Sequence, residues 1–459
     1  MNINKYKLQD FFEIPPIERP GILLEEIKTS HSYHFSRNSA YRRAVEAKGA
    51  GDSISEDDLI RILRPTSQVF KSYIDILGTP FPNHQPEGFI RWLGDNFSIE
   101  LPPERLSCFK EKYSNLEDFL SAIESTYSDL GFEIGTSSGT SGRATIIVHD
   151  KKSADKAVEA YQLAVYRMWG TIDQHHFIFV MPRDTRIVMA RVARMATARL
   201  GLDNRAHFTI PFSATPDQVR IRTGRVFEEG MKGWFEMRVL HPFMNWMNEN
   251  YVKSKYVNQT ISLLEQMAKT KENILLFGGW IQLHHIFMGL LERGYHKDTK
   301  PLVLGPESMI GTGGGVKEAY PVSTGQIRQD LQSIIRIGEG KPITHRDVFG
   351  MAEANWAAAQ CGHGNYHLPP WLYAVVIDDN DAIVESSDAA GLMAFFDPFA
   401  EGGLFPSFFK TADRVHLVNG GRSYQDKNTC PCGYQTAYLK RDSIIRQDRL
   451  DEAGCAGQL

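Results

Sequence analysis

Helical and β-type segments alternate along the middle of this 459-residue chain, and this alternation limits the possible fold more than any other feature. The spacing of apolar residues predicts an amphipathic helix over residues 152–169 and buried strands over 176–181 and 273–277. From about residue 371 onward, short β-rich segments dominate. Alternating helices and strands are typical of a parallel sheet that is covered by helices. We therefore predict an α/β fold with a β-rich subdomain in the later part of the chain.

The length predicts subdomains, because a single hydrophobic core stops growing well below this size. We expect residues 1–130 to form a mostly helical N-terminal part of the main domain. Residues 131–440 are expected to form its core, with the β-rich part from about 371. Residues 441–459 are expected to be a short C-terminal tail.

Charge and composition exclude several function classes. The formal net charge is −4, and no long basic run is present, so no nucleic-acid partner is expected. No apolar stretch approaches the roughly 20 residues that a membrane span needs. The first residues lack the apolar core of a signal peptide, and five cysteines in so long a chain do not form a disulfide framework. We therefore expect a cytoplasmic protein.

A loop rich in hydroxyl side chains and glycine lies between two apolar segments. It consists of Ser137, Ser138, Gly139, Thr140, Ser141 and Gly142. Backbone N–H groups and hydroxyls in such a loop can converge on one anion, because glycine has no Cβ to block the approach. Phosphate is the obvious anion, although no lysine follows Gly142 as it would in a P-loop. A plain surface turn is the alternative interpretation.

Three further segments follow in order. Gly311–Lys317 is glycine-rich, so a flat ring could lie against its backbone. Asp347–Glu353 is an apolar run that ends in Glu353, and an acid at the end of a strand can hold Mg²⁺ together with a nucleotide phosphate. Phe409–Val415 places Asp413 just after a β segment, where a carboxylate can accept both ribose hydroxyls. Taken singly, each segment also has a plain structural interpretation. The first is a glycine turn, the second ends in an exposed glutamate that starts a helix, and the third contains a turn aspartate.

In this order, the four segments resemble the adenylate-forming (acyl-activating) enzymes, over roughly residues 130–445. The resemblance implies that the loop Ser137–Gly142 binds the ATP phosphates, that Glu353 helps to hold Mg²⁺ and that Asp413 binds the ribose. It also implies a glycine strand beside the adenine. Beyond the loop, the ATP- or AMP-binding residues implied in this way are Gly313, Gly314, Gly315, Phe349, Gly350, Met351, Ala352, Asp413 and Arg441.

The chain departs from the family pattern at several positions. Thr145 stands roughly where the family's loop usually ends in lysine, and Ala352 and Ala412 replace the usual threonine and glycine. The family's hinge segment resembles Lys440–Ile445, and the sequence stops shortly after Asp442. We therefore expect the usual C-terminal domain to be absent or vestigial.

Within the superfamily, the chain is most similar to the acyl-protein synthetase family of bacterial bioluminescence (LuxE-like), with phenylacetate–CoA ligases as the next nearest. The LuxE-like family also has a loop without the lysine, and its Gly-Gly-Gly-x-Lys segment resembles Gly313–Lys317. Its early Pro-x-x-x-Phe-Lys segment resembles Pro65–Lys71, where this chain has one residue more. The resemblance implies ATP-dependent activation of a carboxylic acid as an acyl-adenylate, followed by acyl transfer to a thiol.

The acyl acceptor is implied to be a thiol near the C-terminus that passes the acyl group to a partner protein. Cys455 is the candidate, because a thiolate is a strong nucleophile and later a good leaving group. Glu353 and Cys455 are thus the predicted catalytic residues. Two alternatives stay open. One is a CoA or amide ligase on the same fold. The other is a non-catalytic nucleotide-binding partner protein, which the absence of the family's lysines would favour.

Cysteine and histidine form a second chemical pattern. Cys361 and His367 lie in one glycine-rich turn segment, and Cys430 and Cys432 lie in another. Two turn-borne ligand pairs suit tetrahedral zinc, and a closed set of four ligands would be structural rather than catalytic. His363 is the alternative to His367 as the histidine ligand. The alternative is a set of surface histidines and unrelated thiols.

Overall fold

The computed structural model describes residues 5–77, 85–137, 144–170, 172, 174–224, 230–314, 320–400 and 403–446. The α-helices are α1 (Arg19–Arg37), α2 (Ser39–Glu46), α3 (Leu59–Ile62), α4 (Thr66–Phe70), α5 (Tyr73–Leu77), α6 (Pro86–Asp95), α7 (Leu116–Thr126), α8 (Lys151–Trp169), α9 (Val188–Arg199), α10 (Pro216–Arg222), α11 (Met231–Phe235), α12 (His241–Met247), α13 (Lys253–Thr270), α14 (Trp280–Glu292) and α15 (Thr324–Ile334). Two π-helical turns, Glu236–Leu240 and Asn248–Val252, join α11, α12 and α13 into one continuous rod.

The strands are short except for two near the end of the chain. They are β1 (Arg64–Pro65), β2 (Glu133–Thr136), β3 (Ile146–His149), β4 (His176–Pro182), β5 (Ala206–Ile210), β6 (Ile274–Gly278), β7 (Leu302–Leu304), β8 (Met309–Gly313), β9 (Ile335–Ile337), β10 (Lys341–Pro342), β11 (Thr344–Gly350), β12 (Ala357–Gln360), β13 (Tyr366–His367), β14 (Tyr373–Ile377), β15 (Asp388–Asp397), β16 (Ser407–Val418), β17 (Tyr438–Leu439) and β18 (Ile445–Arg446).

The chain divides into two compact units. The first unit comprises Met1–Gly135, Thr145–Met168 and Met351–Asp451. The second unit comprises Thr136–Ala144, Trp169–Gly350 and Glu452–Leu459. In the described ranges, no helix combines the length and the apolar character that crossing a bilayer requires.

The first unit is built on an antiparallel sheet. Its strand order is β14–β15–β16–β17–β13–β12, and β16 also pairs with β1 and β18. Along β16, from residue 409 to 417, buried and less buried positions alternate, as the two-residue period of a strand requires. Helices α1 and α2 supply Ile27 and Tyr41 to the same core as Trp371 and Phe396 of the β-rich part. The helical N-terminal residues and these strands therefore share one core.

The second unit is built on a parallel sheet with the strand order β5–β4–β6–β8–β11. Strands β4, β6 and β8 supply Ile178, Leu276 and Ile310 to a core that helices α13, α14 and α15 help to form. The chain goes from β4 outward to β5 and then returns to the other side of β4 with β6. In sheets of this kind, ligands bind outside the carboxyl ends of the strands at such a reversal of order. The predicted α/β class with a β-rich part is confirmed.

Candidate functional site

Three neighbouring strands of the second unit end in glycine at the carboxyl edge of the parallel sheet. Strand β6 ends at Gly278, β8 at Gly313 and β11 at Gly350. The register places Gly278 beside Thr312, and Thr312 beside Asp347. Segments that are far apart in the sequence therefore form one small-residue edge, and parallel pairing alone brings them together.

The glycines of β8 serve different purposes. A Cβ at Gly311 would come within 2.6 Å of Phe277 Cδ2, so this glycine makes room for the phenylalanine ring. A Cβ at Gly313 would lie 3.3 Å from the end of the same ring. Gly314 follows with a φ of +76°, a left-handed conformation that favours glycine. Gly313, which ends the strand, and Gly314, which follows it, are thus candidates for contact with a flat ring, whereas Gly311 is a packing residue.

A polar cluster at the same edge was missed by the sequence analysis. The Thr312 hydroxyl donates to the Asp347 carboxylate and lies 3.1 Å from His345 Nε2. The His345 ring lies 4.9 Å from the Trp280 ring, centroid to centroid. Burial, with smaller effects from two nearby arginines, lowers the pKa of His345 to about 3, so the imidazole is neutral at pH 7. His345 and Asp347 lie at alternate positions of β11 and therefore on one face of the strand, a pattern that could have indicated this cluster.

The segment around the predicted magnesium ligand begins where β11 ends. Phe349 and Gly350 are the last residues of that strand. A turn follows in which the Ala354 N–H donates to the Met351 carbonyl over 3.1 Å, and it carries Ala352 and Glu353. Glu353 is therefore placed after the strand, at the first turn, as the sequence predicts for an acid at a strand end.

In the first unit, Glu353 contacts Thr145, which lies three residues after the end of the hydroxyl- and glycine-rich loop. The Thr145 hydroxyl donates to Glu353 Oε1 over 3.0 Å. Thr145 is completely buried, and Glu353 is 8% exposed. These two residues are 208 positions apart in the sequence. Glu353 is the predicted magnesium ligand, and Thr145 follows the predicted phosphate-binding loop by three residues. Thr145 thus contacts the predicted metal-binding acid.

The surroundings of Glu353 favour a cation. Among the described residues, Thr145 is its one hydrogen-bond partner, and no described lysine, arginine or histidine forms an ion pair with it. A nearly buried carboxylate is costly unless a positive charge compensates for the lost hydration. Carboxylate oxygens are also the ligands that Mg²⁺ prefers. The residue therefore fits the role of a magnesium ligand.

Asp413 lies inside a strand, so its predicted position just after a β segment is wrong. Strand β16 continues from Ser407 to Val418, and Asp413 pairs with Arg446 of β18. Its side chain belongs to the buried set of alternating positions, and its N–H donates to Thr411 Oγ1 over 3.2 Å. No glycine or proline lies between Ser407 and Val418 to end the strand.

The predicted zinc ligands lie together in the first unit. Cys361 directly follows β12 and His367 lies in β13, so a tight turn joins them. In that turn the Gly364 N–H donates to the Cys361 carbonyl, and Gly364 has a φ of +87°. In the second turn the Gly433 N–H donates to the Cys430 carbonyl, and Gly433 has a φ of +80°. Each turn therefore depends on a glycine in the left-handed region to present its ligands.

The distances within this metal cluster, which we define as Cys361, His367, Cys430 and Cys432, match a tetrahedral site. All four ligand atoms lie within 4.8 Å of one another. The Sγ atoms of Cys361 and Cys430 are 3.9 Å apart, and Cys432 Sγ is 3.2 Å from His367 Nε2. With Zn–S bonds of about 2.3 Å, two sulfurs of a tetrahedron lie roughly 3.8 Å apart. The ligand types and spacings thus fit zinc.

The environment sets the protonation and orientation of the histidine. His367 Nδ1 lies 3.0 Å from Thr436 Oγ1, which leaves Nε2 facing Cys432. Burial lowers the pKa of His367 to about 4, so the ring is in the neutral form that binds metals. Burial, together with the neighbouring thiols, raises the pKa of Cys432 to about 12, and a bound cation would reverse this effect. His363, the rival ligand, is exposed and lies outside the cluster.

One asparagine joins the metal cluster to the predicted hinge residue Arg441. Asn365 Nδ2 donates to Cys430 Sγ over 3.3 Å, and Asn365 Oδ1 accepts from the Arg441 N–H over 3.1 Å. A Cβ at Gly364 would come within 2.7 Å of Arg441 Cδ. Arg441 therefore contacts the first metal-binding turn through both its backbone N–H and its side chain.

Several predicted residues lie outside the described ranges, namely Ser138, Gly139, Thr140, Ser141, Gly142, Gly315 and Cys455. Ser137 is described and is partly buried. Just before it, the Thr136 N–H donates to the Arg186 carbonyl over 2.7 Å, which fixes the start of the loop within the second unit.

Comparison with known proteins identifies the fold. No protein-family model matches the chain, and no curated protein matches it. Among solved structures, the chain is similar to an open conformation of 2-hydroxyisobutyryl-CoA ligase in complex with 2-HIB-AMP and CoA, with 15% identity, a TM-score of 0.54, and coverage of 93% of this chain and 74% of the ligase. For the postadenylation state of that ligase with R3-HIB-AMP, the identity is 14%, the TM-score 0.54, and the coverage 95% and 69%. The chain therefore has the fold of adenylate-forming ligases, as the sequence predicts.

Proposed function

We propose that this protein activates a carboxylic acid with ATP and Mg²⁺ to form an acyl-adenylate and then transfers the acyl group to a thiol. The substrate carboxylate would attack the α-phosphorus of ATP in line, and pyrophosphate would leave. The protein would contribute positioning and charge neutralisation rather than covalent chemistry at this step. The fold shared with an acyl-CoA ligase is consistent with this reaction class.

The hydrogen bond from Thr145 to Glu353 is the observation that carries the proposal. Glu353 would help to hold the magnesium ion of bound ATP, and this role requires the ATP phosphates to bind near its carboxylate. Thr145 lies three residues after Gly142, the last residue of the loop, and its hydroxyl lies 3.0 Å from Glu353. When bound, Mg²⁺ would neutralise phosphate charge, and Glu353 would hold it.

Other residues take roles that fit their positions. Asp413 is nearly buried on β16 and would accept hydrogen bonds from the ribose hydroxyls. Gly313, the last residue of β8, and Gly314 after it would lie against the adenine. Phe349, near the end of β11, would border the ring and the acyl carbonyl. The loop from Ser137 to Gly142 would bind the triphosphate, and Arg441 would contact the nucleotide.

For the acceptor, we favour a thiol of the protein itself, as in the LuxE-like family, and Cys455 is the candidate. Cys361, Cys430 and Cys432 are less suitable, because their sulfurs converge on one point and two of them are 2% exposed. CoA is the second candidate acceptor, because the similar solved structures are those of a CoA ligase.

We further propose that the metal cluster binds one structural zinc ion. The support is the set of four converging ligands of the types that zinc prefers, with Thr436 orienting the histidine. A closed four-ligand site leaves no position for substrate, so its role is to stabilise the end of the first unit.

Pyrophosphate release, measured with ATP, Mg²⁺ and a panel of fatty, aryl and amino acids, tests the activation step. One acid class should release pyrophosphate, and hydroxylamine should trap its acyl group as a hydroxamate. Transfer is then followed with the radiolabelled acid: covalent label that Cys455→Ser abolishes identifies the protein thiol, whereas label that appears only on added CoA identifies a CoA ligase. ATP binding without pyrophosphate release for any acid would contradict the proposed activation and favour a nucleotide-binding partner protein.

A further inference from the structure

Asn365 lies in the first metal-binding turn and contacts two members of the metal cluster. Its carbonyl accepts a hydrogen bond of 2.9 Å from the Cys361 N–H, and its Nδ2 donates to Cys430 Sγ over 3.3 Å. A thiolate that binds zinc accepts such a bond, and contacts of this kind orient the ligands of a metal. Both the backbone and the side chain of Asn365 are therefore fixed when zinc closes the cluster.

The third contact of Asn365 leads away from the metal. Asn365 Oδ1 accepts a hydrogen bond of 3.1 Å from the Arg441 N–H. Because a backbone N–H can only donate, the amide oxygen must face Arg441 and the amide nitrogen must face the sulfur. One short side chain therefore joins Cys430 to Arg441.

Arg441 lies at the second position of a β-turn that cannot satisfy its N–H. The Ser443 N–H donates to the Lys440 carbonyl over 3.3 Å and closes the turn, and Asp442 at the third position has a φ of +57°. In a turn of this kind, the N–H of the second residue has no partner within the turn. Among the described residues, Asn365 is the partner of that N–H.

Both ends of this turn are held by strand β16, independently of the metal cluster. The Lys440 N–H donates to the His416 carbonyl over 2.9 Å, and the His416 N–H donates to Ser443 Oγ over 3.2 Å. The ends of the turn therefore stay in place without the metal. What Asn365 decides is the orientation of the tip, which carries Arg441.

The side chain of Arg441 starts from the same contact. A Cβ at Gly364 would come within 2.7 Å of Arg441 Cδ, so glycine at this position leaves room for the stem of the arginine. The guanidinium is exposed, and its Nε lies 3.1 Å from the carboxylate of exposed Asp442. An ion pair between exposed groups is weak, so the guanidinium is available to a phosphate.

We propose that Asn365 is a positioning residue that holds the backbone of Arg441 against the metal cluster. Zinc binding then sets the direction in which the Arg441 side chain leaves the turn. The consequence for ATP rests on the proposed adenylation, in which Arg441 contacts the nucleotide. The metal would thus raise the affinity for ATP without touching it.

Limited trypsin digestion of the zinc-saturated full chain tests the positioning without any substrate. Asn365→Ala is cleaved after Arg441 at least about fivefold faster than wild type, because the lost hydrogen bond raises the population of the open turn. Asn365→Asp keeps an acceptor for the Arg441 N–H and is cleaved at the wild-type rate. The matched control, Asn428→Ala, removes a hydrogen bond of 2.8 Å to Ser387 Oγ and leaves this cleavage unchanged. Mass spectrometry identifies the cleaved bond, elemental analysis confirms full zinc occupancy, and circular dichroism confirms that each variant is folded.

ATP–pyrophosphate exchange with the active acid tests the consequence for the nucleotide. Asn365→Ala raises the KM for ATP about fivefold and changes kcat by less than about twofold, because binding rather than chemistry is affected. Asn365→Asp keeps the wild-type KM. Since Asn365 acts through Arg441, Asn365→Ala has no further effect on KM in the Arg441→Ala background.

Three results would overturn the inference. The first is cleavage after Arg441 at the wild-type rate in zinc-loaded Asn365→Ala. The second is equal resistance of the zinc-free and the zinc-bound wild type at this bond. The third is a rise in KM that is as large in the Arg441→Ala background as in the wild type. If no acid supports exchange, the proposed adenylation fails, whereas the trypsin result still decides whether Asn365 positions Arg441.

Discussion

The metal cluster of the first unit and the carboxyl edge of the parallel sheet in the second unit both depend on glycine, but for different reasons. In the metal cluster, Gly364 and Gly433 have φ values of +87° and +80°, so glycine permits the turn. At the sheet edge, Gly311 has no such requirement and makes room for Phe277. Each ligand pair of the metal cluster is local in the sequence, although Cys361 and Cys430 are 69 residues apart, whereas the sheet edge arises from strand register. Spacing therefore predicts the first directly and cannot predict the second.

The largest expected effect concerns the metal cluster. Cys361→Ser removes a ligand that is 2% exposed, and we expect bound zinc to fall from about one per chain to almost none, with a loss of at least about 3 kcal/mol in unfolding free energy. Elemental analysis and chemical denaturation measure the two quantities. His363→Ala, at the exposed neighbouring histidine, should change neither. Equal zinc content in the wild type and Cys361→Ser would contradict the assignment of Cys361 as a zinc ligand.

The polar cluster at the sheet edge should make stability depend on pH. The pKa of His345 is about 3 in the folded state and about 6.5 when unfolded, so only the unfolded chain takes up this proton as the pH falls from 6.5 toward 3. The contribution of His345 to the free energy of unfolding therefore decreases by up to about 1.4 kcal/mol for each unit by which the pH falls in that window. His345→Gln should flatten the dependence of unfolding free energy on pH, whereas His296→Gln, at an exposed site, should not. An unchanged slope in His345→Gln would contradict the assignment.

Gly311→Ala tests whether glycine at the sheet edge acts through packing. The added Cβ would come within 2.6 Å of Phe277 Cδ2, and we expect a loss of about 1–3 kcal/mol, measured by denaturation. Gly325→Ala in α15 is the matched control, since its Cβ would meet only Ser323 Oγ at 3.9 Å. That control should be neutral, or stabilising by up to about 1 kcal/mol. Equal effects of the two substitutions would show that packing is not the reason for Gly311.

Thr436→Val tests the orientation of the metal-binding histidine. Thr436 Oγ1 lies 3.0 Å from His367 Nδ1, and losing this contact should weaken zinc binding roughly tenfold. Competition with a chelator measures the affinity. Pyrophosphate exchange at saturating zinc should stay unchanged, which separates a structural from a catalytic metal. A fall in exchange at full zinc occupancy would contradict the structural role.

The sequence predicted elements well where the signal lies within one segment. The helix predicted over 152–169 is observed as Lys151–Trp169, and the strand over 273–277 is observed as Ile274–Gly278. The pattern Ser114-x-x-Glu117 predicts a capping box, but Asn115 is the cap and accepts from the Asp118 N–H over 2.8 Å. Two polar residues side by side compete for the cap, and local sequence does not decide between them.

The sequence predicted the structure less well where contacts between distant segments decide it. Residues 330–337 have helix spacing, yet the helix ends at Ile334 and Ile335–Ile337 pairs with Leu302–Leu304 as a strand. The contact between Thr145 and Glu353 depends on how distant segments pack, so no local pattern shows it. His345 and Thr312 meet only because β8 and β11 pair in one particular register.

ATP–pyrophosphate exchange in wild type and Glu353→Gln tests the central claim most directly. If Glu353 holds the magnesium ion, exchange with the active acid falls at least about 100-fold in this variant. Glu385→Gln, which changes an exposed glutamate of the same unit, keeps wild-type exchange. Unchanged exchange in Glu353→Gln, with the variant folded and ATP bound, would contradict the account.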